Sequence, residues 1–295
     1  VHFTGAPPYH GMFREYHCHD PRWLYRVPDS VSFTQAALAE PLAVAHNAAR
    51  KAGLVSGETV LVIGAGPIGF SCIQMARLAG AACIVVSDIP RPVPNQVILP
   101  PLLETLEAAG IARDAITLLI ATGMHRPNLG DELARVVGRD IMERYRVENH
   151  FCQDPSSYRG IDVIDGAPSE VNRHYLDADL RILTGLIEPH FYAGFSGGRK
   201  AILPGISSFE TMKLMHSYRL IEHPRVANCV LEGNPFHQYG LRICELVGVD
   251  FILNVALNKR REVGGVFAGH YDHAHRAGCE LVARHSTVVV DEPFD

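Results

Sequence analysis

Alternation between short β-branched runs and amphipathic stretches constrains this chain more than any other feature. Residues 58–63, 83–87, 115–121, 180–186, 251–256 and 287–290 have the length and composition of buried strands. Residues 70–78, 99–109, 131–137, 208–220, 238–246 and 272–284 have helical spacing. A strand covered on both faces loses its polar alternation, and a helix between two parallel strands supplies the cover. The order therefore predicts an α/β fold: a Rossmann-like, mainly parallel sheet with helices on both faces. Residues 32–52 are Ala-rich and read as a helix with a break or kink near Pro41. Gly110 is the expected C-cap of the helix at 99–109. Residues 1–28 read as loops and short strands, and the proline-rich stretch 90–101 is either a linker or a site loop.

Between the runs at 58–63 and 83–87 lies Gly64-x-Gly66-x-x-Gly69. Glycines at this spacing permit a tight turn, close approach of a pyrophosphate and close helix packing, with the anion on the helix N-terminus. Asp88, 19 residues after Gly69, stands where an acid would bind a ribose hydroxyl. NAD is the cofactor this unit would take. A glycine turn that serves packing alone satisfies the same pattern.

Bulk properties exclude several classes. Of 295 residues, 47% are hydrophobic and 20% charged, which suits a chain with a full core. The net charge of −5 offers no broad basic surface for nucleic acid or anionic membrane. Seven scattered cysteines with no C-x-x-C pair argue against a disulfide framework or structural zinc, and for a reducing cytoplasmic compartment. No apolar run reaches the roughly 20 residues that span a bilayer. Both ends look cut, as in a fragment.

A second constellation follows strand ends. The run at 115–121 leads into Thr-Gly-Met-His125-Arg-Pro, and that at 180–186 into Ile-Glu-Pro-His190. In a parallel sheet both histidines emerge at the carboxyl edge, where open α/β sheets place ligands. Two imidazoles at one site suit acid–base work on both faces of a carbon, although either alone serves equally as a structural hydrogen-bonder. Next comes a loop with Gly194, Ser196, Gly197, Gly198, Arg199 and Lys200. Its glycines allow an anion nest for a phosphate-bearing cofactor, with Ser196, Arg199 and Lys200 as donors. A desolvated lysine there could also form a covalent cofactor link. A surface loop with solvated charges is the alternative. His216 follows on the helix at 208–220, and its imidazole suits nickel as well as zinc. Arg91, after Asp88, could grip a substrate carboxylate or form a surface ion pair.

Two family resemblances rest on these segments. Residues 1–88 resemble a zinc-dependent medium-chain polyol dehydrogenase of the sorbitol dehydrogenase type, through VPDSVSFTQAALAEPLAVAHNAARKAGL and GETVLVIGAGPIG. The resemblance implies Glu40 at a catalytic zinc. A lone carboxylate cannot hold zinc, which wants three or four ligands, and His17, Cys18 and His19 read as loop residues. Residues 83–295 resemble the N-terminal domain of the nickel-pincer lactate racemases. The carrying segments are IVVSDIPRPVPNQVILPPLLETLEAAGI, ITLLIATGMHRPN, ADLRILTGLIEPHFYAGFSGGRKAILPGI, MHSYRLIEHPR, LEGNPFH and GVDFILNV.

This second resemblance implies a racemase or epimerase of a lactate-like 2-hydroxy acid, working by proton-coupled hydride transfer. Lys200 would carry the nickel-pincer nucleotide and His216 would bind nickel. His125 and His190 would be the acid–base pair, and Arg91 with Asp88 would meet substrate. Cofactor-biosynthesis enzymes are the implied partners. Pro90 stands where that family usually has Thr, and the family's C-terminal domain, with its substrate-binding lysine, lies beyond the matched segments. The two resemblances meet at IVVSDI, dividing the chain into a dehydrogenase-like segment, 1–82, and a racemase-like domain, 83–295. The alternative function is an NAD-dependent zinc polyol dehydrogenase remnant.

Overall fold

The computed structural model describes residues 15, 20, 24–28, 31–52, 66–78, 80, 82–164 and 166–288. In chain order the elements begin with α1 (Phe33–Ala37), α2 (Ala39–Ala52), α3 (Pro67–Leu78), β1 (Ala82–Ser87), α4 (Asn95–Ala108) and β2 (Ile116–Ala121). There follow α5 (Asp131–Val137), α6 (Arg139–Arg144), β3 (Arg146–Asn149), β4 (Tyr158–Ile164), β5 (Ala167–Asn172), α7 (Arg173–Asp177) and β6 (Leu180–Leu186). The last are β7 (Pro189–His190), β8 (Gly194–Phe195), α8 (Phe209–Met215), α9 (Tyr218–Ile221), α10 (Pro235–Val247), β9 (Phe251–Leu257), β10 (Val263–Gly269) and α11 (His273–Ser286).

Six strands form one sheet in the order β10-β9-β6-β1-β2-β3. Every neighbouring pair is parallel except β9 with β10. β1 is central, and its alternate residues explain the unbroken apolar run. Ala82, Ile84 and Val86 face a core with Leu99, Leu102, Leu103 and Leu106 of α4, Val136 and Val137 of α5 and Ile141 of α6. Cys83 and Val85 face the other core, with Tyr175 of α7, Met215 of α8 and Tyr239, Ile243, Cys244 and Val247 of α10. The expected mainly parallel sheet with helices on both faces is the one observed.

Several boundaries move for physical reasons. The N-terminal helix breaks at Leu38, not at Pro41, which sits in the first turn of α2 where a missing N–H costs nothing. Stretch 90–101 is not a linker. It is a loop to Pro94 and then the start of α4, which runs through Pro100 and Pro101 because its buried leucines hold it to the sheet. Gly110, at φ +99°, closes α4: its N–H meets Glu107 O at 3.0 Å and the Ile111 N–H meets Leu106 O at 3.1 Å, a Schellman end. The expected helix at 208–220 is interrupted at His216 and Ser217, giving α8 and α9. Residues 287–288 are not strand, and 289–290, like the run at 58–63, lie outside the described residues. Among the described residues no helix is long and apolar enough to cross a membrane.

Candidate active site at the carboxyl edge of the sheet

From β1 the chain builds β2 and β3 on one side, then crosses to build β6 and β9 on the other. The crevice beyond the carboxyl ends of β1 and β6 is thus a topological switch point, the place where such sheets receive ligands. A cavity of about 270 Å³ opens there. Asp88 and Arg91 after β1, His125 after β2, His190 after β6, Lys200 from the glycine loop and His216 from the end of α8 all line it.

Asp88 is 4% exposed, and its Oδ2 lies 2.7 Å from His125 Nδ1. Burial raises the Asp88 carboxyl above its ordinary range, against the lowering contact with His125. A carboxylate bound to Nδ1 holds that nitrogen protonated and turns Nε2 outward as the proton-accepting end. Arg91 is not paired with Asp88. Its Nη1 meets Glu188 Oε1 at 2.6 Å, and both side chains are about one-third exposed, so the guanidinium is oriented yet accessible.

The loop after β6 depends on glycines where no side chain fits. Gly194 has φ +75°, and a Cβ there would lie 2.1 Å from Val230 O. Gly197, also at φ +75°, would bring a Cβ to 2.7 Å from Asn254 Oδ1. The same Asn254 oxygen accepts the Gly198 N–H at 2.7 Å, so one donor expected for an anion nest is already satisfied from within the chain. Ser196 lines the cavity, but its hydroxyl donates to Leu186 O at 2.7 Å and accepts from the Glu188 N–H at 3.0 Å.

Lys200 reaches the cavity, and its Nζ lies 3.0 Å from His190 Nε2. His190 Nδ1 accepts two backbone donors, the N–H groups of Tyr192 at 3.1 Å and Ala193 at 3.3 Å. With Nδ1 an acceptor, neutral His190 carries its proton on Nε2 and donates it to the lysine nitrogen, which requires an uncharged amine. The electrostatics agree. Burial first, then the charges of Arg199 and Arg91, lower Lys200 to about 7. Burial first, then Lys200, lowers His190 to about 3.

His216 caps α8, and its Nδ1 donates to Met212 O at 3.0 Å, which leaves Nε2 as the free nitrogen. Its ring meets Tyr192 and Phe236 edge-on, while those two rings stack at 5.6 Å. Tyr192 and Phe236 form an aromatic wall that sequence reading missed, for want of any periodic signal. Glu188, also missed, lies beside His190 in the chain but pairs across 97 residues. Asn254 had a visible signal, a polar residue inside the apolar run FILNVAL.

Other expectations are corrected. Arg199 does not line the cavity: it is 1% exposed and points into the core, and buried Gly198 does not line the cavity either. Asp88 faces His125 rather than serving a nucleotide turn. Both edges of β1 are occupied, by β2 and β6, and the run at 58–63 that the β-turn-α-β unit was read from lies outside the described residues. Gly66 precedes α3 and Gly69 lies in its first turn, and neither lines the cavity; Gly64, His17, Cys18 and His19 lie outside the described residues. Glu40 is exposed on α2. Among the described residues no three His, Cys, Asp or Glu side chains are grouped to hold a metal by themselves.

Comparison with known proteins finds similarity to two groups. A lactate racemase from Thermoanaerobacterium thermosaccharolyticum is 37% identical over 227 residues, covering 75% of this chain and 52% of that protein. Its apoprotein structure superposes with a TM-score of 0.67 at 32% identity, over 81% of this chain and 55% of that one. The chain thus spans about half the length of the lactate racemases it matches. Sorbitol dehydrogenase from Gallus gallus is 40% identical over 89 residues, 30% of this chain and 25% of that protein. Residues 57–228 match the lactate racemase N-terminal domain family. That stretch is more than half of the 295 residues and holds every side chain lining the cavity except Phe236, so the chain belongs to the lactate racemase N-terminal domain family.

Proposed function

We propose that this chain forms the catalytic N-terminal half of a racemase or epimerase acting on a lactate-like 2-hydroxy acid. The observation that carries the reading is that His125, His190, Lys200 and His216, spread over 92 positions, line one cavity at the switch point of the sheet. Racemisation needs a proton acceptor and a proton donor at the hydroxyl, and in the free chain His125 Nε2 presents the first and the His190 Nε2–H the second. His125 and His190 leave β2 and β6, the strands on either side of β1, and so approach a bound 2-hydroxy acid from two directions. Asp88 fixes the tautomer that makes His125 Nε2 a base. Arg91, oriented by Glu188, presents N–H donors for the substrate carboxylate.

A lysine-tethered nickel-pincer nucleotide fits the donor set. Lys200 would supply an uncharged amine for attachment, and His216 would supply one free imidazole nitrogen to nickel. Tyr192 and Phe236 would give the group an aromatic side of the same cavity. When bound, that group would supply the acceptor and donor of the α-carbon hydride. The chain itself binds, orients and moves the hydroxyl proton. Cofactor-biosynthesis enzymes are the partners this reading requires, and the cytoplasm the compartment.

The test is co-expression with nickel-pincer biosynthesis enzymes, followed by intact mass and metal analysis. A mass increase located on Lys200, with stoichiometric nickel lost on His216→Ala, is expected. An unmodified Lys200 without nickel refutes the reading.

A further inference from the structure

Among the described residues Arg199 is the largest side chain below 2% exposure, and no carboxylate pairs with it. Asp272, the acid whose field reaches it, is committed to Arg276 at 2.9 Å. The guanidinium instead donates to Ala193 O at 2.6 Å and lies 3.1 Å from His275 Nε2, while its Nε has no partner. Its stem fills the space over Gly240, where a Cβ would come within 2.6 Å of Arg199 Cγ. A buried cation without a counter-ion is an expensive arrangement that packing alone does not call for. It sits one residue before Lys200, on the short helical turn 198–201.

We propose that Arg199 is a positioning residue for covalent loading: an unpaired buried cation kept beside Lys200 so that the amine stays uncharged and nucleophilic until a cofactor is attached. The proposal rests on the reading of Lys200 as the attachment point. Burial is the largest cause of the lowered Lys200 value and Arg199 the second. Arg91 acts in the same direction and Glu188 opposes. Asp88 and His125 from the ends of β1 and β2, His190 from the end of β6 and His216 from α8 line the same cavity. Burial chiefly, with Arg199 as a further cause, lowers His190, His237 and His275, so these imidazoles are neutral and none competes for its role as the fixed charge.

The experiment is arylation of the chain, free of cofactor, with 1-fluoro-2,4-dinitrobenzene across a range of pH, read at Lys200 by peptide mass spectrometry. The neutral amine forms the C–N bond, fluoride leaves and the proton goes to solvent. Exposed Lys259 in the same digest reports reagent strength. The Lys200 rate is expected to be half-maximal near about pH 7. Arg199→Met should move that midpoint upward and cut the rate at neutral pH several-fold, because the neutral fraction falls about tenfold for each unit gained. Arg199→Lys should retain the parent midpoint. His275→Glu leaves the arginine in place but gives it a counter-ion, and should shift the midpoint in the same direction as Arg199→Met. This variant decides the matter if Arg199→Met does not fold. A parent-like midpoint in either folded variant overturns the proposal, since a purely structural arginine would leave the profile unmoved. Loss of the underlying reading is separately visible, as a normal arylation profile on a lysine that stays unmodified after co-expression.

Discussion

Acid should loosen the floor of the cavity before it titrates most carboxylates, and His150 is the side chain through which this acts. His150 follows β3, is 1% exposed, and has both ring nitrogens engaged. Nε2 donates to Ser207 O at 2.8 Å and Nδ1 accepts from Asn172 Nδ2 at 3.0 Å. Asn172 cannot turn over to accept a proton instead, because its Oδ1 caps α7 by accepting the His174 N–H at 2.9 Å. The His150 carbonyl meanwhile accepts the Thr122 hydroxyl at 2.5 Å, and the Gly123 N–H reaches Gly205 O at 2.9 Å. His150 therefore ties the strand end carrying His125 to the loop carrying Lys200. Burial, its largest influence, lowers the imidazole from 6.5 to about 4.

The sign follows from which state binds the proton. Between those two values the unfolded chain is protonated at His150 and the folded chain is not. Stability is then whole above the unfolded value and falls as pH drops from there toward the folded one. A difference of that size amounts to about 3 kcal/mol at roughly pH 4, a large part of the 5–15 kcal/mol typical of a domain. Urea unfolding followed by circular dichroism at several pH values reads it directly. His150→Gln keeps a donor for Ser207 and an acceptor for Asn172 but cannot take up the proton. It should flatten the acid limb by about that amount while His237, also lowered to about 4, still contributes to both curves. Parallel acid limbs for parent and variant would refute the reasoning.

Two further outcomes bear on the site itself. Lys200→Met removes the second-largest influence lowering His190, so the imidazole should titrate higher by NMR; an unchanged titration would show that the Lys200 charge plays no part beside burial and the arginines. Asp88→Asn removes the charge that holds His125 in the Nδ1–H tautomer, and turnover of the loaded enzyme should fall on the order of 10²-fold. A folded Asp88→Asn variant with parent turnover would remove Asp88 from the catalytic machinery.

The strands and helices that were legible in the sequence are those whose burial is decided locally. Residues 180–186 and 131–137 coincide with β6 and α5 because a two-faced apolar run and an amphipathic turn need no distant partner to be read. β4, β5 and β10 were not legible. β4 buries only Ile164 fully, and β10 carries three glycines in VGGVFAG, so neither shows the alternation that marks a half-buried strand. The cavity residues followed the same rule. His125 and His190 were readable because each trails a strong strand, and Lys200 because glycines surround it. Arg199 was read as a donor to a phosphate because a guanidinium beside glycines suits an anion nest, and only the packing of α10 and α11 over that loop turns it inward.

The central strand shows why two unrelated resemblances can meet without harming the site. β1 must supply apolar residues to both cores and end at the switch point, and a run such as ACIVVS does so whatever precedes it. Its pairing is set by backbone, residue by residue, from Ala82 opposite Ile116 to Ser87 opposite Ala121. On the other edge Ala82 to Val85 pair with Leu180 to Leu183. What the site asks of β1 in particular is one carboxylate immediately beyond its end, where Asp88 meets His125. A dehydrogenase-like strand and a racemase-like strand both satisfy the sheet, but in this register the carboxylate that would serve a ribose is instead delivered to an imidazole. The partner waiting at the end of β2, rather than the origin of the strand, decides what Asp88 does.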